Sequence, residues 1–275
     1  MVSERSVKSA ERTLAVLELF SFYETGLTVG DVARELGIPQ PSVTMLLQAM
    51  RRMGYLDYDS RARLYMPTIR VLLLGSWIYR RLSGAASLAA RLSELKDKLG
   101  GETTYAAIQN GAKLQYVLTL QADMPERLHV ASGNRSSLVA CAAGRVLLSL
   151  KSDEVVRGWL RRANVETSDM ARRISESAYL ERMAQIRRDG FAATNGDARP
   201  GIGAVAVAVP SPMGEMHLAI GIGGPVERVL PRRAETIEAL LQFRQDFSSA
   251  VREAAIGRND ELTSPGDLHY TEAIY

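Results

Sequence analysis

Residues 28–55, TVGDVARELGIPQPSVTMLLQAMRRMGY, specify more of the architecture than any other stretch of this 275-residue chain. Thr28 and Asp31 form a Thr-x-x-Asp capping pattern, and Val32, Ala33 and Leu36 give the helix behind it an apolar face. Gly37 ends that helix. Pro39 and Pro41 suit the start of a second helix, where their missing N–H groups are not needed, and Val43, Leu46, Leu47 and Met50 recur at the 3.6-residue period of a core face. At about 100° per residue, the opposite side carries Pro41, Thr44, Met45, Gln48 and Arg52. Beyond Gly54, Tyr55 to Tyr58 and Leu64 to Met66 read as two short strands around a polar, basic tip, Asp59 to Arg63. Residues 27 to 68 therefore read as a winged helix-turn-helix.

A tri-helical packing module that touches no nucleic acid would share this apolar pattern, and charge separates the two readings. Residues 1 to 82 hold 11 Lys or Arg against 8 acids, while residues 83 to 275 hold 23 against 23. The entire basic excess of the chain sits in residues 1 to 82, the part that contains the winged segment, so double-stranded DNA is the expected partner and the second helix the element a major groove meets.

The length suits two domains, and 46% hydrophobic with 24% charged residues is ordinary globular composition. The longest apolar runs, Val71 to Leu74 and Ala204 to Pro210, fall far short of the ~20 residues of a membrane span, and the N-terminus lacks the apolar region of a signal peptide. A cytoplasmic protein with no membrane partner is expected. Cys141 alone excludes an internal disulfide, and His129, His217 and His269 are too far apart for a zinc pattern; no metal or cofactor is expected.

A first helix, Val7 to Tyr23, carries Val7, Ala10, Leu14 and Leu17 on one stripe, broadened by Val16, Leu19, Phe20 and Tyr23. So wide a face calls for two packing partners, the helix-turn-helix core and a second subunit. Ile69 to Leu82, with Trp77 and Arg80-Arg81, reads as an interdomain linker helix. The second domain, 84 to 256, opens with a helix bearing Leu88, Leu92, Leu95 and Leu99, closed by Gly100-Gly101. Thr103 to Gln109 and Lys113 to Leu120 flank the hairpin signal Asn110-Gly111, and Leu128 to Ala131 suggest a third strand. Helices follow at 143–150, 153–163 and 176–189. Strands return at 191–194, 203–209 and 216–223, with Pro212-Met213-Gly214 as a turn, and a long helix spans 232–255. This order predicts an α+β domain whose antiparallel sheet is covered on one face by helices. The tail, 257–275, reads as poorly ordered.

From about residue 7 to 255 the chain resembles the isocitrate lyase regulator (IclR) family of bacterial transcription factors. The carriers are Val7-Lys8-Ser9-Ala10-Glu11-Arg12, Gly37-Ile38-Pro39, Gly54-Tyr55-Leu56 and Tyr65 in the first domain. In the second they are Ala142-Ala143-Gly144-Arg145, Ile186 to Ala192, Pro200-Gly201-Ile202 and Gly224-Pro225. The resemblance implies a winged helix-turn-helix that binds a palindromic operator as a dimer or dimer of dimers, and a GAF-like domain that binds a small organic effector.

Where many relatives have a basic residue at the start of the recognition helix and an Arg a turn later, this chain has Gln40 and Met45. Thr44 and Gln48 can still hydrogen-bond base edges, Gln suiting adenine, and Met45 offers an apolar surface to a thymine methyl. Ser42 and Arg52, with Ser9, Arg12, Arg61 and Arg63, would position the phosphate backbone. For Arg51 and Arg52 a solvated helix end favoured by the helix dipole fits as well as a DNA role.

By the same resemblance the effector pocket lies between the sheet and the segment Ser136, Ser137, Leu138 to Cys141, Ala142, Ala143 and Gly144. Thr194 to Asp197, Ala204 and the strand from Ala219 through Gly221 to Gly223 bound it. Relatives that bind small carboxylates are polar at several of these positions, where this chain has Thr194, Ala204, Gly221 and Gly223. Smaller side chains would enlarge the cavity and favour a bulkier aromatic or carboxylic acid, although strand glycines equally suit close packing of helix on sheet.

Cys141, His217 and Asp197 could in principle serve as nucleophile, base and orienter, yet Val139-Ala140-Cys141-Ala142 is an apolar stretch that suits an inert, buried thiol. A ligand-binding module with a vestigial helix-turn-helix is the other alternative. For a regulator, effector binding alters DNA affinity only if it favours one subunit arrangement over another, and the linker helix is the expected carrier.

Overall fold

In the computed structural model, which describes residues 7–82, 87–123, 130–167, 173–211 and 216–256, the capping pattern forms as read. Helix α1 spans Lys8–Tyr23, α2 Val29–Leu36 and α3 Gln40–Arg52. Thr28 Oγ1 accepts from the Asp31 N–H at 3.1 Å, and the Asp31 carboxylate accepts from the Thr28 N–H at 3.0 Å. The Thr28 hydroxyl, at 2.6 Å, the Thr28 N–H and the Arg34 guanidinium all donate to the Asp31 carboxylate and hold it below its ordinary pKa. Gly37 closes α2 at φ +63, a left-handed conformation that only glycine adopts without strain. Pro39 caps α3 and Pro41 lies in its first turn.

Strands β1 (Leu56–Asp59) and β2 (Leu64–Pro67) pair antiparallel as the wing. Asp59 Oδ1 accepts from the Arg61 and Ala62 N–H groups, and Arg63 takes a positive φ, so the tip is a tight turn. Val16, Phe20, Val32, Val43, Leu47, Met50, Leu56 and Tyr65 make one core. The broad face of α1 is only partly covered. Val16 and Phe20 are buried, whereas Val7, Leu14 and Phe22 are exposed.

Helix α4 (Ile69–Leu82) follows, and the chain divides into two compact units between Arg81 and Leu82. In the second unit, α5 (Leu88–Lys98) buries Leu88, Leu92 and Leu95. A six-stranded antiparallel sheet comprises β3 (Thr103–Asn110), β4 (Lys113–Leu120), β5 (Arg135–Ser137), β6 (Phe191–Asn195), β7 (Ile202–Pro210) and β8 (His217–Pro225), in the order β5-β4-β3-β8-β7-β6. Between β5 and β6 run α6 (Ala142–Ser149), α7 (Asp153–Glu166) and α8 (Glu176–Asp189); after β8 come α9 (Val226–Val229) and α10 (Arg233–Ile256).

The helices cover both faces of this sheet, not one as the sequence suggested. Val205, Val207 and Val209 of β7 and Leu218, Ile220 and Ile222 of β8 pack with α5 and α10, while Ala204, Ala206, Ala208 and Ala219 face α6 and, beyond it, α7 and α8. The alternation of large and small residues makes the two faces unequal, and small side chains let α6 approach closely.

Three local expectations also shift. Asn110 pairs with Lys113, so the hairpin loop is Gly111-Ala112, with Gly111 at φ +57 supplying the turn one residue later than read. The third strand is Arg135–Ser137; Val130 and Ala131 are not in a strand, and Leu128 and His129 lie outside the described residues. The short α9 was not read from the sequence. Pro212-Met213-Gly214, the tail 257–275 and the side chains of Trp77 and Arg80-Arg81 also lie outside what is described. No helix among the described residues is long and apolar enough to cross a membrane.

Candidate functional site

Helix α3 buries Val43, Leu47 and Met50 and leaves Gln40, Pro41, Met45, Gln48, Arg51 and Arg52 exposed, because its inner face is fixed by α2 and β1. Met45, at 66% exposure, presents a thioether to solvent where a globular surface usually carries a polar group. Ser42 and Thr44 are half-buried. The Thr44 hydroxyl donates to the Gln40 carbonyl at 2.9 Å, which leaves it free only as an acceptor toward a base. Arg51 lies over the Tyr58 ring of the wing at 5.6 Å, bracing α3 against β1, whereas Arg52 is exposed. The two basic residues at the helix end thus differ in their surroundings. Arg61 and Arg63 are exposed at the wing tip, and Ser9 and Arg12 lie in the first turns of α1, with Arg12 half-buried.

In the second unit the predicted effector residues separate into two groups. Cys141 caps α6, its Sγ accepting from the Gly144 N–H at 3.3 Å, and Ala142 and Ala143 are fully buried behind it. A Cβ on Gly144 would stand 2.0 Å from the Leu138 carbonyl oxygen, so glycine is what allows the segment before α6 to fold against the helix. Ser136 lies close to the Tyr116 phenol and the Cys141 thiol. Tyr116 meets Tyr105 edge-on at 5.0 Å. Burial pushes the Cys141 thiol up and the Tyr116 phenol to about 12, so both are neutral at physiological pH.

Gly221 does not enlarge a cavity as expected from its missing side chain. The Tyr105 ring fills that space, within 2.5 Å of where a Cβ would stand. Thr194 and Ala204 pair across β6 and β7, and Ala204 pairs in turn with Gly223 of β8, all on the sheet beneath α6.

Ser137, Leu138 and Asp197 belong to a second feature, a cleft of about 620 Å³ walled by α7, α8 and residues 137–140. Arg145, only 4% exposed, donates to the Asp197 carboxylate at 2.7 Å and to the Val139 carbonyl at 3.1 Å. The Tyr179 hydroxyl donates to the same carbonyl at 3.0 Å, and Arg182 reaches Asp197 at 3.2 Å. Burial works to raise the Asp197 carboxyl, but the bonds from Arg145 and the Asn195 N–H, aided by Arg182, hold it below its ordinary value. Across the cleft, Glu166 accepts from Arg162 at 3.2 Å and Lys113 at 3.5 Å. Trp159, Arg162 and Arg182 were missed in the sequence because their only signal was an arginine-rich pair of helices, which an exposed surface would also give.

The possible nucleophile, base and orienter are not brought together. Asp197 lies just before β7, at the Ile202–Pro225 end of the strand pair, and His217 pairs with Pro210 at the other end, roughly 25 Å along the strands.

Family models for the IclR helix-turn-helix domain and for the bacterial transcriptional regulator IclR C-terminal region match residues 9–60 and 81–249. The chain is 23% identical over 244 residues to the HTH-type transcriptional regulator XynR of Escherichia coli K12, covering 89% of this chain and 94% of that protein. It is 24% identical over 254 residues to the HTH-type transcriptional repressor AllR of the same strain, covering 91% and 92%. Among solved structures, an IclR homolog from Microbacterium hydrocarbonoxydans complexed with 4-hydroxybenzoate superimposes with a TM-score of 0.72 at 20% identity, over 89% of this chain and 99% of that one. With both halves of the chain matched in order and the resembling motifs set in the expected winged and sheet-based units, the chain belongs to the IclR family of DNA-binding bacterial transcriptional regulators.

Proposed function

We propose that this regulator binds a palindromic operator as a homodimer or dimer of dimers, and that a small aromatic or carboxylic acid bound in its C-terminal domain sets its affinity for that operator. The single observation that carries the operator reading is the exposed α3 face of Met45 and Gln48, flanked by exposed cations at Arg52, Arg61 and Arg63. Thr44 as acceptor, Gln48 as bidentate partner of adenine and Met45 against a thymine methyl make an A·T-directed reading head. Ser9, Arg12, Gln40, Ser42 and Arg52 with the wing arginines hold the backbone. The uncovered Leu14 and Phe22 of α1, with Val7 just before it, support a second subunit.

For the effector, the 4-hydroxybenzoate complex of the structural relative supports an aromatic acid, and Ser136, Tyr116 and Cys141 supply neutral polar groups beside the small-residue face of Ala204, Gly221 and Gly223. Thr194, Ala142 and Ala143 complete that inner region. Such an acid changes operator affinity only by binding one state of the protein better than another. A hydrolytic role for Cys141 has no support, since its thiol is buried and held protonated, and Asp197 and His217 lie toward opposite ends of the β7–β8 pair.

The test is fluorescence anisotropy against the intergenic DNA flanking the protein's own gene, at two salt concentrations, with and without 4-hydroxybenzoate and short-chain carboxylates. Tight, salt-dependent, sequence-selective binding is expected, with log K falling by roughly 0.9 per phosphate contact for each decade of salt. Folded protein without selective binding at low salt would favour a ligand-binding module with a vestigial helix-turn-helix.

A further inference from the structure

The cleft between α7 and α8 has the properties of a built site. Its volume, about 620 Å³, falls in the range of small-molecule pockets, roughly 300–1,000 Å³. Its walls are fixed from within. Asn164 donates to the Ile174 carbonyl at 2.9 Å and accepts from the Ile174 N–H at 3.0 Å, tying α7 to the segment before α8. The Val139 carbonyl is held by two donors, Arg145 and Tyr179.

The charge inside is unbalanced. Two carboxylates, Asp197 and Glu166, are each shared by two cations, so Arg145, Arg182, Arg162 and Lys113 leave a net charge of +2 on the lining. Arg162 and Arg182 spend one nitrogen each on these pairs, at 3.2 Å in both cases, and keep the rest of their planar forks for another acceptor. Apolar area from Leu138, Trp159 and Ile174 lines the same space. Two cationic groups around an aromatic and aliphatic wall suit a flat organic molecule with two negative charges; an inorganic anion would leave the apolar wall unused.

We infer that this cleft is a second small-molecule site of the C-terminal domain, which takes a planar organic dianion of the aromatic dicarboxylate type through Arg162 and Arg182. It is separate from the inner region proposed above, although residues 136–141 belong to both: Ser136 and Cys141 face Tyr116, and Leu138 and Val139 face the cleft. A dianion seated there would bear on the segment that borders the inner region.

The experiment uses the full-length protein without DNA, so its outcome is independent of the operator reading. Trp77→Phe leaves Trp159 as the sole tryptophan of the two. Benzene-1,4-dicarboxylate and its 1,2 and 1,3 isomers are titrated with Trp159 fluorescence and calorimetric heat as readouts, beside benzoate and benzamide. Saturable quenching by one dicarboxylate is expected, at least about tenfold weaker for benzoate and absent for benzamide, as loss of one charge-assisted contact implies. Arg162→Ala with Arg182→Ala should weaken the dicarboxylate by more than about tenfold. Ala178→Phe, which narrows the cleft without touching a charge, should abolish quenching in protein whose circular dichroism is unchanged. No saturable response to any of the three isomers overturns the inference. So does heat of binding that persists in both Ala178→Phe and the double arginine variant, which would place the ligand elsewhere.

Discussion

Asp197→Ala should destabilise the C-terminal unit by about 2–4 kcal/mol. The substitution removes the carboxylate 2.7 Å from Arg145, a guanidinium only 4% exposed, and leaves that charge with the Val139 carbonyl as its remaining strong acceptor. Removing one partner of a fully buried pair costs about 3–5 kcal/mol; Asp197 is itself 26% exposed, so water can reach the vacated site and the figure falls to the lower end. At about 2–4 °C per kcal/mol for a unit of this size, the melting temperature should drop by roughly 4–16 °C. Because the Asp197 carboxyl is held below its ordinary value, its contribution is complete above the unfolded carboxyl's pKa of about 3.9 and is lost as the pH falls through the lower folded value. The two proteins should therefore differ at pH 7 and converge in strong acid. Replacing both partners, Arg145→Met with Asp197→Ala, should restore part of the loss, since no buried charge is then left unpaired. The assay is urea unfolding followed by Trp159 fluorescence in the Trp77→Phe background. A single variant within about 0.5 kcal/mol of the parent at pH 7, the scatter of ordinary surface substitutions, would refute the argument.

Arg61→Ala with Arg63→Ala should lower affinity for all DNA sequences alike and reduce the salt slope by roughly 1.8, measured by anisotropy; an unchanged slope would mean that the wing tip does not meet the backbone. Gln48→Ala should relax preference at one base pair per half-site, by about 1–3 kcal/mol, as read in competition against single-position operator variants. Gly144→Ala would bring a Cβ to 2.0 Å from the Leu138 carbonyl, and an unfolding titration should show a loss of at least about 1–3 kcal/mol, because the clashing atom is backbone. Gly221→Ala meets the Tyr105 ring at 2.5 Å and should cost a similar amount, with part of it recovered by Tyr105→Leu, in the same measurement.

The elements that the sequence determined are those whose causes lie within a few residues of one another. The Thr28–Asp31 box, Gly37, the prolines before α3 and the period of Val43, Leu47 and Met50 are contacts along one turn or two, so the winged unit was legible nearly residue by residue. Helix α8 likewise ran from Glu176 to the residue before Gly190, as its period and closing glycine required. The exposed face of α3, proposed above to read bases, followed from geometry alone, since a helix with one face buried must expose the other. What only the tertiary structure decided depends on partners far apart in the chain. Arg145 and Asp197 lie 52 residues apart, and Tyr105 meets Gly221 across neighbouring strands; neither pair leaves a local signal. The same holds for the two-sided cover of the sheet. An alternation of alanine with valine or isoleucine looks like one buried face and one neutral face, and only the approach of α6, which the small side chains and Gly144 permit, turns the neutral face into a second core. The cleft likewise depends on distant partners: α7, α8 and residues 137–140 wall it, and it collects arginines that the sequence could present only as surface charge.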